Sequence, residues 1–536
     1  MPGVLTNRIH PRVALRWWQL LAVAAVIVAY VVLLRPASGS DATADAQELM
    51  PSDVMLYVAI DLDTDAEQYT KMAAILKRFP SFDAVRGVAL GRITGPSDET
   101  FAFDKDIRPW AGDSATVAVV PGKASRPQSL LAIDVDDEGK AKEFLDGLKA
   151  KPTVSKHRGT EIRAYAPDFV TAFAGDFLVV GEADTVKRTI DLADGRGGSL
   201  ADNAQAQRAL DGVAAERVAL AYASRDGVRD VLLEGSGALA QLGGVIDHPA
   251  LQATAAAITA RDGKLVVSQH SALDAKANKD RPAYGAFPSF EPTLDSEVSG
   301  TSFLYLGAAD FDRTLDRLLG QAGVSIPGFG DLFERFRKGL GKEARVDLEK
   351  QLFPLLKGEA AISVAPGQPA PVVTAVIDDV DEKKARSVLA SLQGPIIKAI
   401  QPGEGQRAAQ FAESDVGGVR VNSLQLTPTI NLSYALFEGQ LVITTDPQGV
   451  ERIRKNREPL ADSDGYKSAF AGAPDEAATV VFVDLATFVD LAVGAGLGQD
   501  PGFGLIRDDV ERLQALGVTV QGSEADLDVR ATLTIR

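Results

Sequence analysis

The stretch 134–138 concentrates oxygen ligands, because Asp134, Asp136, Asp137 and Glu138 follow directly on an apolar run. Carboxylates grouped in this way can hold a hard cation, or act as a catalytic pair. A strand that ends at Asp134, followed by a helix capped by Asp136 or Asp137, accounts for the same residues. We therefore interpret the acidic run as a strand end and a helix cap, with metal binding as the alternative.

The sequence that follows these acids supports a helix. Apolar residues recur at the spacing of one buried helical stripe, and the stripe consists of Ala141, Phe144, Leu145 and Leu148. A near copy occupies 376–392, where the stripe consists of Ala385, Val388, Leu389 and Leu392. The acids shift between the copies, since Asp136 aligns with Val380. A metal site needs fixed carboxylates, whereas a fold needs only the stripe, so the copy favours the structural interpretation.

Two other stretches resemble sites and then depart from the pattern. The segment from Asp61 begins like a calcium loop, but Ala66 stands where glycine is needed and Met72 where a bidentate Glu belongs. The tripeptide at 112–114 suggests a serine nucleophile, yet Ser114 leads into a strand rather than a helix. The matching place in the second half has no hydroxyl. We interpret both stretches as structural.

Other chemistry is sparse in this sequence. The chain has no cysteine, which excludes disulfides and thiolate chemistry. Its four histidines are too far apart in sequence to form a local ligand pair. No nucleotide-binding or zinc-protease motif occurs, so we predict no catalytic residues, no metal site and no cofactor. For an alternative hydrolase with carboxylate chemistry, the weak candidates are Asp113, Asp134 and Asp378.

The N-terminal segment predicts the cellular compartment. Residues 17–34 form an uncharged apolar run, preceded by Arg8, Arg12 and Arg16. Its length and flanking charges predict a single-pass transmembrane helix with residues 1–16 in the cytoplasm and the C-terminal ectodomain outside, hence a cell-membrane protein. A cleaved signal peptide is the alternative. The net charge of −17 argues against nucleic acid as a partner.

The rest of the chain divides into two halves. Residues 35–48 and 274–293 have linker compositions, which predicts domains at 49–273 and 294–536. Blocks of similar sequence recur in the same order in both halves, as Pro109–Gly122 and Pro354–Gly367 illustrate. Short β-branched strands at hairpin distance alternate with amphipathic helices. We predict an α+β fold: an N-terminal transmembrane helix, then two related, duplicated antiparallel-sheet-plus-helix units, each with helices on one side.

These segments resemble a known family. The run from Leu49 to Asp65 and the Pro-Trp-x-Gly-Asp segment at 109–113 are similar to bacterial envelope proteins grouped as domain of unknown function thirty-three fifty-two. The resemblance covers most of the chain beyond residue 48. It implies a membrane-anchored envelope protein with no assigned reaction and no catalytic residues to transfer.

One feature of the sequence favours binding. Two Gly-Phe-Gly segments lead into amphipathic helices, and their apolar residues could contact lipid or line a groove; these residues are Phe329, Leu332, Phe333, Phe336 and Phe503. Packing against the protein's own sheet is the alternative. We expect an extracytoplasmic binding or scaffolding protein that holds an apolar or lipid-like ligand between its two units, with a lipid or an envelope protein as partner.

Overall fold

The structure is a computed structural model, and its described residues fall into two compact units. Unit 1 comprises the residues up to Ala277, and unit 2 those from Asn278 onward. The described ranges are 46–62, 67–82, 93–94, 100–122, 126–233, 249–280, 288–310, 356–368, 370–400, 410–427, 430–494, 496–499 and 501–536.

The described part of unit 1 contains twelve strands, two of which form a separate small hairpin. In chain order the strands are β1 Leu56–Asp61, β2 Ile93–Thr94, β3 Thr100–Phe101, β4 Ala111–Val120, β5 Gln128–Val135, β6 Thr153–His157, β7 Thr160–Ala166, β8 Phe169–Ala174, β9 Phe177–Gly181, β10 Ala219–Ser224, β11 Leu251–Arg261 and β12 Lys264–Leu273. Strands β2 and β3 pair only with each other. The remaining ten are antiparallel, in the order β12-β11-β10-β1-β4-β5-β9-β8-β7-β6.

The helices of unit 1 cover both faces of these strands. They are α1 Glu67–Leu76, α2 Glu138–Asp146, α3 Ala183–Ala193 and α4 Ala204–Asp211. A further helix, α5 Ala275–Asp280, contains the division between the two units. Successive residues of a strand point to opposite faces. Val179 of β9 packs in the core of α3 and α4, whereas its neighbour Leu178 packs in the core of α2 and Trp110. The middle of the sheet is therefore buried on both sides.

Unit 2 has ten strands with the same order of neighbours. Its strands are β13 Leu304–Ala308, β14 Ala360–Ala365, β15 Val372–Ile377, β16 Ala412–Val416, β17 Val419–Gln425, β18 Asn431–Phe437, β19 Gln440–Thr444, β20 Thr479–Asp484, β21 Leu513–Gly522 and β22 Asp526–Ile535. They run β22-β21-β20-β13-β14-β15-β19-β18-β17-β16, all antiparallel. A position in one unit can therefore be matched to a position in the other by strand and register.

The helices of unit 2 repeat the two-sided arrangement. They are α6 Glu382–Ile400, α7 Gln448–Arg454, α8 Asp464–Phe470, α9 Leu485–Gly494 and α10 Pro501–Val510. Val442 of β19 belongs to the core shared with α7 and α8, and its neighbour Leu441 to the core shared with α6.

The fold class predicted from the sequence is wrong and is corrected here. We expected two antiparallel-sheet-plus-helix units, each with its own sheet and with helices on one side. Twenty of the described strands are instead assigned to one antiparallel sheet, and helices cover both faces of it in each unit. The period-two pattern shows which face of a strand is buried but not which strands are its neighbours. Near-continuous apolar runs, such as β9, indicate burial on both faces.

The predicted transmembrane helix is part of the same correction. No helix within the described ranges is long and apolar enough to span a bilayer. Residues 17–34 themselves, like the cytoplasmic tail at 1–16, lie outside the described residues. The domain boundaries at 49–273 and 294–536 stay predictions.

Candidate functional site

The acidic run at 134–138 is used mainly for local backbone contacts. Asp137 caps α2, since its Oδ1 accepts a hydrogen bond from the Lys140 N–H at 3.0 Å, which confirms the cap predicted there. Asp134 Oδ2 accepts from the Asp113 N–H at 2.9 Å and so ties the end of β5 to the start of β4. Burial raises the pKa of Asp134, and these backbone hydrogen bonds oppose the rise.

A glycine faces this aspartate in each unit. A Cβ added at Gly112 would collide with the Asp134 carboxylate, and a Cβ at Gly358 would collide with Asp378 in the same way. Burial raises the pKa of Asp378. Its Oδ1 is buried and has no hydrogen-bond partner among the described residues. The two catalytic candidates Asp134 and Asp378 therefore occupy equivalent, tightly enclosed positions at strand ends.

The other candidate residues do not form a site. Ser114 is fully buried within β4, and Met72 of the calcium-like segment is buried in α1. His157 Nε2 lies 2.9 Å from Asp191 Oδ1, which ties the β6–β7 turn to α3. Within the described ranges, no three His, Asp or Glu side chains are close enough to hold a metal ion.

Of the residues predicted to contact an apolar ligand or the membrane, only Phe503 lies within the described ranges. Phe503 is buried, at 8% exposure, on α10. The others lie outside the described residues: Phe329, Leu332, Phe333 and Phe336.

A cavity of about 450 Å³ lies in unit 1 between α2 and the strands β7 and β8. On the α2 side the cavity is lined by Glu138, Lys142 and Leu145. These residues are spaced at i, i+4 and i+7, so they share one face of the helix. Across from them, Arg163 of β7 is paired in register with Thr171 of β8. The residues that matter for its chemistry are Glu138, Lys142, Leu145, Glu161, Arg163, Thr171 and Phe173. The volume falls within the range of small-molecule sites.

The charged groups around the cavity are paired with one another. Lys142 Nζ lies 2.6 Å from Glu138 Oε1. Arg163 donates from Nε to Glu161 Oε1 at 2.7 Å and from Nη1 to Asp146 Oδ1 at 2.6 Å. The Glu161 hydrogen bond is the main reason that the pKa of Arg163 is raised, so the guanidinium stays charged. The cavity thus contains fixed cations and anions in near balance.

Its floor combines an aromatic ring with an unpaired hydroxyl. Lys142 Nζ lies 5.6 Å from the centre of the Phe173 ring, within cation–π distance. Thr171 is 1% exposed, and its Oγ1 has no hydrogen-bond partner among the described residues. A buried hydroxyl left unpaired costs about 1–3 kcal/mol.

Unit 2 fills the equivalent place with its own side chains. When the strand registers of the two units are matched, the cross-strand pair Arg163–Thr171 of unit 1 corresponds to the pair Asn422–Tyr434 of unit 2. Gln393 of α6 donates to the Tyr434 hydroxyl at 2.7 Å. In unit 1 the helix ends at Asp146, before any counterpart of Gln393. A small residue and a short helix therefore leave open in unit 1 the space that a ring and an amide occupy in unit 2.

Unit 2 has a different polar cluster, which is buried. Glu359, 8% exposed, accepts hydrogen bonds from the Thr293 N–H, the Thr293 hydroxyl and the Leu294 N–H. Burial raises the pKa values of Glu359 and of Asp295, which is hydrogen-bonded to Tyr466. Such contacts fix the segment before β13 onto the sheet, so we interpret the cluster as structural.

Sequence reasoning missed the cavity, because its residues come from three elements that meet only in the folded chain. One signal was accessible. When the hairpin 169–181 is aligned with 432–444, Thr171 stands where the second half has Tyr434. A loss of volume at a position facing a helix indicates empty space.

Comparisons with known proteins find a matching family and some solved structures of low similarity. A family described as "Protein of unknown function (DUF3352)" matches residues 18–535. Among curated proteins, none matches. Crystal form I of TP0453 is similar at 10% identity and a TM-score of 0.24, covering 42% of this chain and 78% of that chain. Crystal form III gives the same identity and score, with 79% of that chain covered. Likeness at this score supports no inference about fold or function.

Proposed function

The chain belongs to the DUF3352 family, and from this premise we propose that it is a binding protein of the cell envelope whose ligand lies in the cavity of unit 1. The observation that carries the proposal is that cavity: about 450 Å³, lined by two pairs of opposite charges, an aromatic ring and an unpaired hydroxyl. Ligand sites are concave and contain a few well-placed polar groups on an apolar base.

A binding role fits the chemistry of this cavity better than catalysis. A catalytic acid or base needs a pKa shifted toward neutral pH and access to substrate. The carboxylates that line the cavity instead form ion pairs, Glu138 with Lys142 and Glu161 with Arg163. Asp134 and Asp378, whose pKa values burial raises, lie at strand ends outside the cavity lining, and Glu359 and Asp295, with pKa values also raised by burial, belong to unit 2. We therefore propose no reaction for this site.

An extracytoplasmic location is part of the proposal. It is supported by the arginine-flanked apolar run at 17–34, which is typical of exported proteins. The charged lining favours a polar ligand over the apolar or lipid-like one expected from the sequence.

Native mass spectrometry of the protein purified from its own cell envelope tests the binding role. The discriminating variant is Thr171→Tyr, which places in unit 1 the side chain that unit 2 already carries as Tyr434. Thr153→Tyr is the matched control, because it adds the same ring at an exposed position of the neighbouring strand β6.

We expect wild type and Thr153→Tyr to retain a small bound molecule that Thr171→Tyr loses. Circular dichroism of all three proteins checks that the fold is kept. Retention of the same molecule by Thr171→Tyr would exclude the cavity as its site.

A further inference from the structure

The balance of charges in the cavity indicates the class of ligand. This inference rests on the proposed function and deepens it: we propose that the cavity binds a neutral, polyhydroxylated ring, namely a sugar or a cyclitol. Glu138 with Lys142, and Glu161 with Arg163, give equal numbers of anions and cations in the lining. Asp146, which also pairs with Arg163, adds one more anion beside the cavity, so these groups offer no net positive charge to attract an anion.

Charged ligands would have to break pairs that the protein already makes. A phosphate on Arg163 would compete with Glu161 and Asp146, which lie 2.7 Å and 2.6 Å from the guanidinium. An ammonium group on Glu138 would compete with Lys142, at 2.6 Å. In either case the ligand would have to displace a partner that the side chain already has, which reduces the net gain in binding. A neutral ligand avoids this cost.

Hydroxyl groups match the donors and acceptors that remain. A guanidinium has five N–H groups and a carboxylate accepts at both oxygens, so Arg163 and Glu161 can each make further hydrogen bonds without separating. A ligand hydroxyl both donates and accepts. Adjacent hydroxyls of one ring can therefore bridge a paired cation and anion together.

The apolar part of the lining suits the C–H face of such a ring. Phe173 and Leu145 both border the cavity, from β8 and from α2. A preformed cavity of about 150 Å³ takes one benzene, so 450 Å³ has room for one or two sugar rings with their hydroxyls. A single sugar and the end of a longer glycan would present the same ring to these groups.

Isothermal titration calorimetry with defined probes tests the ligand class. The probes are neutral mono- and disaccharides (glucose, galactose, mannose, trehalose and cellobiose), myo-inositol, inorganic phosphate, and glutamate as a zwitterion. Each is titrated into the full chain and into the Thr171→Tyr and Thr153→Tyr variants, at about 50 mM and about 500 mM NaCl.

We expect at least one neutral sugar or cyclitol to bind, with a Kd that changes less than about twofold between the two salt concentrations. Thr171→Tyr should weaken that binding by at least about tenfold, while Thr153→Tyr should leave it unchanged. A disaccharide that binds more tightly than its own terminal sugar would point to a glycan end; equal affinity would point to the free sugar. Either result supports the ligand class.

Three outcomes would overturn the inference. If only phosphate or glutamate binds, with affinity that falls with salt and is lost in Thr171→Tyr, the ligand class is wrong while the binding function stands. If no probe binds but the copurified molecule is lost in Thr171→Tyr, the same conclusion holds. If a sugar binds equally well to Thr171→Tyr, the cavity is not the site and the proposed function fails with the inference.

Discussion

Replacing Gly112 by alanine should clash with the Asp134 carboxylate, and removing that carboxylate should relieve the clash. The two positions face each other closely enough that a Cβ at Gly112 cannot fit beside the carboxylate. The experiment is a double-mutant cycle of Gly112→Ala, Asp134→Ala and the double variant. It tests whether Asp134 is a structural group at a strand end.

The magnitudes follow from the contacts. Overpacking by Gly112→Ala should cost about 1–3 kcal/mol of unfolding free energy. Asp134→Ala removes the acceptor of the Asp113 N–H bond at 2.9 Å, and should cost about 1–2 kcal/mol, because removing a half-buried carboxylate offsets part of the lost hydrogen bond. The double variant should be no less stable than Asp134→Ala alone. The interaction free energy would then be about −1 to −3 kcal/mol.

Urea unfolding followed by tryptophan fluorescence measures these values in unit 1. Trp110 is 2% exposed, and its carbonyl accepts from the Asp136 N–H at 2.9 Å, so it reports on the region that is changed. Gly394→Ala, on α6 of unit 2, is a negative control: a Cβ there meets no atom within 4 Å, and the variant should leave the Trp110 signal unchanged. If the two single effects simply add, to within about 0.5 kcal/mol, the clash does not exist and our account of the pair is wrong.

Three further predictions concern stability and its dependence on pH. Thr171→Val should stabilise unit 1 by about 1 kcal/mol, because it removes an unpaired buried hydroxyl; an unchanged or lower urea midpoint would show that the hydroxyl has a partner. Burial raises the pKa of Asp378 above its usual value of 3.8, so the folded state binds the proton more tightly than the unfolded state and loses stability as the pH rises through this window. Asp378→Asn should therefore stabilise unit 2 at pH 7 but not near about pH 4, as followed by hydrogen exchange; an equal gain at both pH values would contradict this. Asp381 caps α6 as Asp137 caps α2, since its Oδ1 accepts from the Lys384 N–H at 3.1 Å. Asp137→Ala and Asp381→Ala should each cost about 1 kcal/mol as lost helix caps, and calcium titration should leave the melting temperature of the wild type unchanged; a rise with calcium would restore the metal interpretation.

Local features were predictable from the sequence, because they depend on neighbouring residues. The stripe predicted for α2 is buried at Ala141 and Leu145, with Phe144 half-buried, whereas Leu148 is buried beyond the end of the helix. Its copy is buried at Ala385, Leu389 and Leu392. Helical periodicity alone fixes which residues of such a helix face the sheet.

Features that depend on distant pairing were not predictable. Burial of β9 on both faces requires α2 and α3 to lie on opposite sides, and no local pattern specifies that. The cavity depends on the register that sets Arg163 opposite Thr171, and on α2 ending at Asp146. Turn geometry and helix length decide those points, and a single sequence constrains both weakly.

The position of β1 has a consequence for how the protein is made. This first strand lies in the interior of its sheet, and the hydrogen bond between Ser224 and the Met55 carbonyl joins residues 169 apart in the chain. Closing so long a loop costs entropy before any contact compensates for it, and folds dominated by distant strand pairs form slowly, in about milliseconds to seconds. During synthesis, β4 can therefore pair with one edge of β1 early, whereas the other edge stays unpaired until β10 has followed. That interval is when we expect the protein to depend most on chaperones.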